Sequence, residues 1–175
     1  MEQLGFEFTV QPALIDEDNH HTLEPKAKVV RLALDKALYV ADQQSQASLV
    51  IGADTIVVLD GEILNKPLDE NDAFIMLRKL SNRTHTVYTG IALVRHPDKK
   101  VMTNVQETDV SFRYLGDEEI NAYIKSGSPM DKAGAYGIQD DFGAVFVNNI
   151  RGCYYNIVGL PLEMLYTALN NFLKN

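Results

Sequence analysis

Hydrophobic and polar residues alternate along the chain with two different periods, which predict where helices and strands lie. Apolar residues recur at the spacing of an amphipathic helix in four segments: 25–42, 69–80, 117–125 and 162–173. Runs rich in β-branched and aromatic residues predict strands at 6–10, 49–51, 56–59, 83–94, 101–114, 144–150 and 154–158. Since both kinds of element are interspersed, the pattern predicts one α/β domain over residues 1–175. It should contain a mixed twisted sheet, antiparallel elements and flanking helices.

The most informative part of this pattern is residues 49–67. Asp54 follows a short apolar run, and a second run ends at Asp60-Gly61, a strong signal for a hairpin turn. A two-residue turn there pairs Thr55 with Lys66, so Asp54 and Lys66 are out of register by one residue. On a flat ribbon their side chains point to opposite faces. The pattern alone fits both a hydrated strand end and a catalytic pair at the open end of a ribbon.

Composition and charge exclude several classes of protein. With 46% hydrophobic and 23% charged residues, the chain has a globular composition, and its apolar runs are far short of the about 20 residues that cross a membrane. The net charge of −8 argues against binding to nucleic acid polymers, which requires a basic face. A single cysteine, Cys153, excludes an internal disulfide and favours a reduced, cytoplasmic location.

A second candidate site lies near residues 131–139. Lys132 precedes three small residues that allow close approach of a ligand to the backbone, and Gln139 closes the segment. A lysine, backbone amides and a glutamine amide together could bind a phosphate or the edge of a base, although a plain surface turn fits the pattern equally well. Acids that hold Mg²⁺ and lysines that hold phosphates would fit metal-assisted hydrolysis of a phosphoanhydride.

Three longer segments resemble signatures of one family. GADTIVVLDGEILNKPLDENDAFIMLRKLSNRTHTVYTG (52–90), DKAGAYGIQ (131–139) and YYNIVGLPLEML (154–165) resemble the Maf family of nucleoside triphosphate pyrophosphatases. The resemblance implies an α/β fold related to inosine triphosphate pyrophosphatases, and a homodimer. It also implies hydrolysis of a nucleoside triphosphate to the monophosphate and pyrophosphate with a divalent cation, Mg²⁺ or Mn²⁺. The GIQ and RTH forms of the motifs resemble the branch that acts on dTTP and UTP.

The same resemblance assigns roles to residues. Asp54 matches the proton acceptor of the family, and Asp54 and Glu17 fall on the side of the site that holds the metal. The substrate-binding positions fall on Thr55, Lys66, Lys132 and Gln139, with Thr55 and Gln139 at positions that set specificity.

The N-terminal segment departs from the family pattern. Family members begin with a strand and a serine- and arginine-rich loop that contacts phosphates, whereas residues 1–5 here look like the end of the following helix. The resemblance therefore implies an N-terminally shortened domain with unpaired sheet edges and reduced or absent activity. The alternative is a non-catalytic nucleotide-binding or division-linked regulatory protein.

Overall fold

The computed structural model describes residues 1–20, 22–139 and 141–174. The helices and strands of these residues are α1 (Pro25–Ala41), β1 (Ser48–Leu59), β2 (Glu62–Leu64), α2 (Glu70–Leu80), β3 (Thr84–His96), β4 (Val101–Phe112), α3 (Asp117–Lys125), β5 (Val147–Arg151), α4 (Tyr154–Val158) and α5 (Leu162–Lys174). The strands form one sheet in the order β2-β1-β3-β4-β5, and the β1–β2 and β4–β5 pairs are antiparallel. The predicted mixed α/β fold is confirmed. Within the described ranges, each helix is too short or too polar to cross a membrane.

The chain divides into two compact units. The first unit comprises residues 1–54, 89–106 and 159–175, and the second comprises residues 55–88 and 107–158.

In the first unit, two glycines allow α1 to lie directly on the sheet. A Cβ atom on Gly52 of β1 would be 2.2 Å from the carbonyl oxygen of Ala33, and a Cβ on Gly90 of β3 would be 2.5 Å from that of Val29. Both obstacles are backbone atoms, so only glycine fits at either position without a shift of the helix. The alternating side chains of β1 then divide between two layers, because Val50 packs toward α1 while Ile51 and its odd-numbered neighbours pack toward α5.

The second unit has its own core between the sheet and helices α2 and α3. Asp69 caps α2, because its side chain accepts a hydrogen bond of 2.8 Å from the backbone N–H of Asp72. His85 is a packing residue of this core: it is 2% exposed and lies edge-on to Phe112 with ring centroids 5.0 Å apart. Its Nε2 lies 2.7 Å from the hydroxyl of Tyr136, and burial lowers the pKa of His85 to about 4.

Several strand predictions are wrong in place or in kind. The two apolar runs around Asp54 form one continuous strand, β1. Residues 144–150 begin in a 3₁₀ helix, and the strand β5 starts only at Val147. Residues 154–158 form the helix α4. There the side-chain amide N–H of Asn156 points inward and donates to the backbone carbonyl oxygen of Val87 at 2.9 Å. This hydrogen bond gives the buried amide N–H a partner.

The predicted strand at residues 6–10 is absent as well. The segment Phe6–Val10 has the alternating pattern of a strand, but it belongs to no strand of the described chain and all five side chains are exposed. Alternation alone does not make a strand, because the backbone of a strand needs a neighbour to pair with.

Candidate functional site

Asp54 lies inside β1 rather than at the strand end that the sequence predicted. It is two residues after Gly52, and since side chains alternate along a strand, both positions face α1. Only 9% of the Asp54 side chain is exposed. A carboxylate so far removed from water requires a cation or hydrogen-bond donors close by.

Lys36 of α1 supplies that cation. Its Nζ donates to Oδ1 of Asp54 at 2.6 Å and lies 2.7 Å from Oε1 of Glu17, so the two carboxylates share one ammonium group. Burial by itself would lower the pKa of Lys36, but the hydrogen bonds and charges of Asp54 and Glu17 outweigh it and raise the pKa. Lys36 is therefore protonated at neutral pH. The structure thus brings together two predicted site residues of the first unit, Glu17 and Asp54, around a third that the sequence analysis missed.

Lys36 was missed because it occupies a polar position in the helical pattern of α1. A signal for it exists in the sequence. Gly52 marks the place where α1 touches β1, at Ala33, and Lys36 is three residues further along the same helix face. Asp54 is two residues beyond Gly52 on the face of β1 that packs against α1. Next to this contact, the helix therefore carries a positive charge and the strand a negative charge.

The donor set of this site suits a magnesium or manganese ion that is bound mainly through substrate and water. Mg²⁺ is commonly held by one or two carboxylates together with phosphate oxygens rather than by a cage of protein ligands. Glu17 and Asp54 provide two such carboxylates. No group of three His, Cys, Asp or Glu side chains placed to hold a metal is found in the part of the chain that the structure describes. Glu17 and Asp54 are the two described side chains of this site that could hold such a cation together with phosphate oxygens.

In the second unit, Lys66 and Lys132 share one neighbourhood. The backbone N–H of Gly134 donates to the carbonyl of Asn65 at 3.1 Å, which brings the loop that carries Lys132 beside Lys66. The Lys132 ammonium donates to Asp131 at 2.7 Å; this hydrogen bond lowers the pKa of Asp131, and the charge of Lys66 lowers it further. Lys66 and Lys132 thus form an electropositive cluster around the exposed Asp131 carboxylate. Phosphate oxygens can replace this carboxylate as the partner of the two lysines.

The predicted register of the hairpin is confirmed, although its pairing is shorter than predicted. Leu59 pairs with Glu62 next to the turn, and the last pair is Val57 with Leu64. Pairing does not reach Thr55 and Lys66, because β2 ends at Leu64 and the next carbonyl accepts from the loop around Gly134.

The two predicted specificity residues differ in their surroundings. Thr55 is half-buried and shares a strand face with Val57, against which Gly134 packs: a Cβ on that glycine would be 3.0 Å from a methyl of Val57. Thr55 is thus directed to the same side of the strand as the loop of Lys132. Gln139 is exposed.

Comparison with known proteins gives a family and several relatives. The family described as Maf-like protein matches residues 1–172. The dTTP/UTP pyrophosphatase of Dictyoglomus turgidum is 48% identical over 171 residues, covering 97% of this chain and 88% of the relative. That of Clostridium perfringens is 46% identical over 173 residues, covering 98% and 90%. That of Moorella thermoacetica is 49% identical over 170 residues, covering 97% and 87%.

Proposed function

Since the chain belongs to the Maf family, we propose that it hydrolyses dTTP and UTP to the nucleoside monophosphate and pyrophosphate. The observation that carries the proposal is the cluster of Asp54, Lys36 and Glu17, in a chain that is 46–49% identical to the three dTTP/UTP pyrophosphatases named above. It combines a carboxylate able to accept a proton with a cation able to bind a phosphate.

In the proposed reaction, Asp54 acts as the general base. A water molecule gives a proton to the Asp54 carboxylate while its oxygen bonds to a phosphorus of the α–β phosphoanhydride. The bond between that phosphorus and the bridging oxygen breaks, and pyrophosphate separates from the monophosphate. Lys36 holds Asp54 in place through the 2.6 Å hydrogen bond. An ammonium has three donors, and in the described residues the carboxylates use two of them, so the third can donate to a phosphate oxygen.

A divalent cation completes the proposal. Glu17 and Asp54 would hold Mg²⁺ or Mn²⁺ together with oxygens of the triphosphate, since carboxylate and phosphate oxygens are the ligands these ions prefer. When bound, the ion neutralises negative charge on the phosphates. Removing it with EDTA should abolish turnover, and adding Mg²⁺ or Mn²⁺ should restore it.

The second unit contributes binding in this proposal. Lys66 and Lys132 bind phosphate oxygens, and Thr55 and Gln139 distinguish the base. The support for the lysines is their shared neighbourhood around Asp131, which a polyphosphate can displace. Alanine at either lysine should raise KM for dTTP by about tenfold, the effect of losing one charge-assisted hydrogen bond of roughly 1.5 kcal/mol. Lys79→Ala is the matched control, because Lys79 is an exposed lysine that is also bound to a carboxylate, that of Glu62.

The deciding experiment is an assay of phosphate products. The protein with Mg²⁺ and dTTP or UTP should release pyrophosphate, and Asp54→Asn should lower the rate by a factor on the order of 10²–10⁴, the usual contribution of a general base. Asp98→Asn, which alters an exposed carboxylate paired with Arg95, should leave the rate unchanged. Pyrophosphate release that survives Asp54→Asn would contradict the assigned base, and orthophosphate as the product would contradict the reaction. The Dictyoglomus turgidum relative, assayed in parallel, would measure whether turnover is reduced, as the resemblance implies.

The proposal extends to assembly and location. A homodimer is what the family resemblance implies, and light scattering coupled to gel filtration would test it. A cytoplasmic location agrees with a nucleotide substrate and with a single cysteine.

A further inference from the structure

Glu17 lies on a different kind of element from its partners in the ion cluster. Lys36 belongs to α1 and Asp54 to β1, whereas Glu17 begins a short 3₁₀ helix, Glu17–His20. The Glu17 side chain is 52% exposed, compared with 9% for Asp54. An ion pair with a half-exposed partner contributes little on its own, because water and salt screen it. The pair of Glu17 with Lys36 is therefore too weak to hold this short helix in place by itself.

The backbone of the short helix adds no attachment to α1 or β1 among the described residues. Its one backbone hydrogen bond to a residue outside it is local, from the N–H of Leu23 to the carbonyl of His20 at 3.4 Å. Residues 6–16, which precede it, form neither helix nor strand. A segment attached in this way needs side-chain contacts to keep its position.

His20, at the other end of the short helix, makes such a contact with α1. Its Nε2 lies 2.8 Å from Oδ2 of Asp35, and the two side chains are only 19% and 22% exposed. Because a carboxylate only accepts hydrogen bonds, the Nε2–H of His20 is the donor. A hydrogen bond to a charged group that is largely shielded from water is stronger than an exposed ion pair.

Arg31 fixes the acceptor of this hydrogen bond. It lies one turn before Asp35 on α1, and its Nε is 2.9 Å from Oδ1 and 3.1 Å from Oδ2 of Asp35. With Arg31 bound to it, the Asp35 carboxylate keeps one orientation toward His20. Asp35 is thus a fixed anchor on α1, directly before Lys36 in the chain.

The geometry of a 3₁₀ helix links the two ends of the segment. Side chains three residues apart in such a helix are eclipsed, and the rise is about 2 Å per residue. Glu17 and His20 therefore project to the same side, at positions about 6 Å apart along the axis. Their partners on α1 are consecutive residues, Lys36 and Asp35. The contact of His20 with Asp35 therefore determines where the Glu17 carboxylate lies relative to Lys36.

We propose that His20 is a positioning residue for the reaction: by donating to Asp35 it holds the short helix against α1, and this keeps the Glu17 carboxylate on the Lys36 ammonium. The inference rests on the proposed function, in which Glu17 and Asp54 hold the divalent cation. Without the contact of His20, the cluster keeps the buried pair of Asp54 and Lys36 but loses its third member.

The first test measures the accessibility of the Lys36 ammonium and does not depend on turnover. Reductive methylation with formaldehyde, followed by peptide mass spectrometry, gives the rate at which this lysine is modified. His20→Ala should raise the rate at Lys36 by about threefold, the effect of losing one partly exposed ion pair. Glu17→Gln should raise it by the same factor, because in both variants the ammonium loses one of the two carboxylates that cover it.

Three further variants show whether the hydrogen bond is responsible. Asp35→Ala removes the acceptor instead of the donor and should act like His20→Ala. His20→Gln should keep the wild-type rate at Lys36, because its amide Nε2–H can donate to Asp35 in place of the ring. Asp42→Asn is the matched control, since Asp42 is a carboxylate at the C-terminal end of α1 that pairs with Lys99, and it should leave the rate unchanged.

The second test connects this position to the reaction. With Mg²⁺ and dTTP, His20→Ala should lower kcat/KM by a factor on the order of ten, because a small displacement of a group in the site slows the reaction. In the Glu17→Gln background the same substitution should have no further effect, since His20 acts through Glu17.

The two tests separate the positioning role from the proposed function. An unchanged methylation rate at Lys36 in His20→Ala would overturn the positioning role, and so would kinetic losses of His20→Ala and Glu17→Gln that multiply. If the wild-type protein releases no pyrophosphate, the proposed function fails, and the methylation rates alone decide whether His20 positions Glu17.

Discussion

Replacing Gly52 with alanine tests the connection between the fold and the candidate site. The added Cβ would lie 2.2 Å from the carbonyl oxygen of Ala33 and 2.9 Å from the Cβ of Ala37. Neither neighbour is the end of a flexible side chain, so α1 must move away from β1. Lys36 lies between these two alanines on α1, and its hydrogen bond to Asp54 is expected to lengthen when the helix moves.

The size of the effect follows from two opposing terms. Alanine in place of glycine within a strand gains roughly 0.5–1 kcal/mol, because the unfolded chain loses conformational freedom. Overpacking in a tight core costs roughly 1–3 kcal/mol or more, and a contact of 2.2 Å with a backbone atom belongs at the high end. The net loss of unfolding free energy is therefore about 2 kcal/mol. For a chain of 175 residues, this lowers Tm by roughly 4–8 °C.

Thermal denaturation and pyrophosphate release, measured on the same samples, check the prediction. Gly116→Ala is the matched control, because nothing lies within 4 Å of its added Cβ and its φ of −77° suits alanine. Gly52→Ala should lose both stability and turnover while still folded at 25 °C. Gly116→Ala, at the N-cap of α3, should keep its turnover and most of its stability. If Gly52→Ala melts with the wild-type Tm, the close contact of α1 with β1 is not a constraint and the reasoning is refuted.

Three further predictions concern single residues. Lys36→Met should lower pyrophosphate release at least about tenfold, because the Asp54 carboxylate loses its ammonium partner. For the same reason the unfolding free energy should fall by about 1–3 kcal/mol in urea titrations. Wild-type values of both quantities would contradict the pairing of Lys36 with Asp54. Asp69→Ala should cost about 1 kcal/mol in the same titrations through loss of the α2 cap, and an unchanged urea midpoint would rule that out. Between pH 6.5 and about 4, the His85 imidazole is protonated in the unfolded chain but stays neutral where it is buried in the folded protein. The unfolding free energy should therefore fall with falling pH by up to about 1.4 kcal/mol per pH unit. His85→Gln should make this part of the pH profile flatter, and an equally steep profile would exclude His85 as its source.

Elements with a strong helical period were the most predictable from the sequence. The helices α1, α2, α3 and α5 lie within a residue or two of the predicted segments. Their apolar positions repeat over several turns, and Pro25 and Asp69 mark starts that local chemistry enforces. The long strands β3 and β4 were predicted for a similar reason, since alternating or continuous apolar runs of this length fit few other structures.

The failures occurred where a distant partner decides the structure. Residues 154–158 have strand-forming side chains, yet Asn156 donates to a carbonyl of β3 and the segment is helical. Phe6–Val10 has the right alternation but lacks a pairing partner in the described chain. Short segments have little intrinsic preference, so one long-range contact outweighs their propensity.

The candidate site shows the same division between local and distant information. The aspartate, the hairpin turn and its register could be read locally, and the one-residue offset between Asp54 and Lys66 indicated that these two side chains face opposite sides of the ribbon. The offset implies that the cation for Asp54 must come from whichever element covers its own face. That element is α1, and Gly52 marks where it comes closest to the strand. A carboxylate within a buried strand, two residues from a glycine, therefore predicts a basic residue on the covering helix, here Lys36, one turn from the contact.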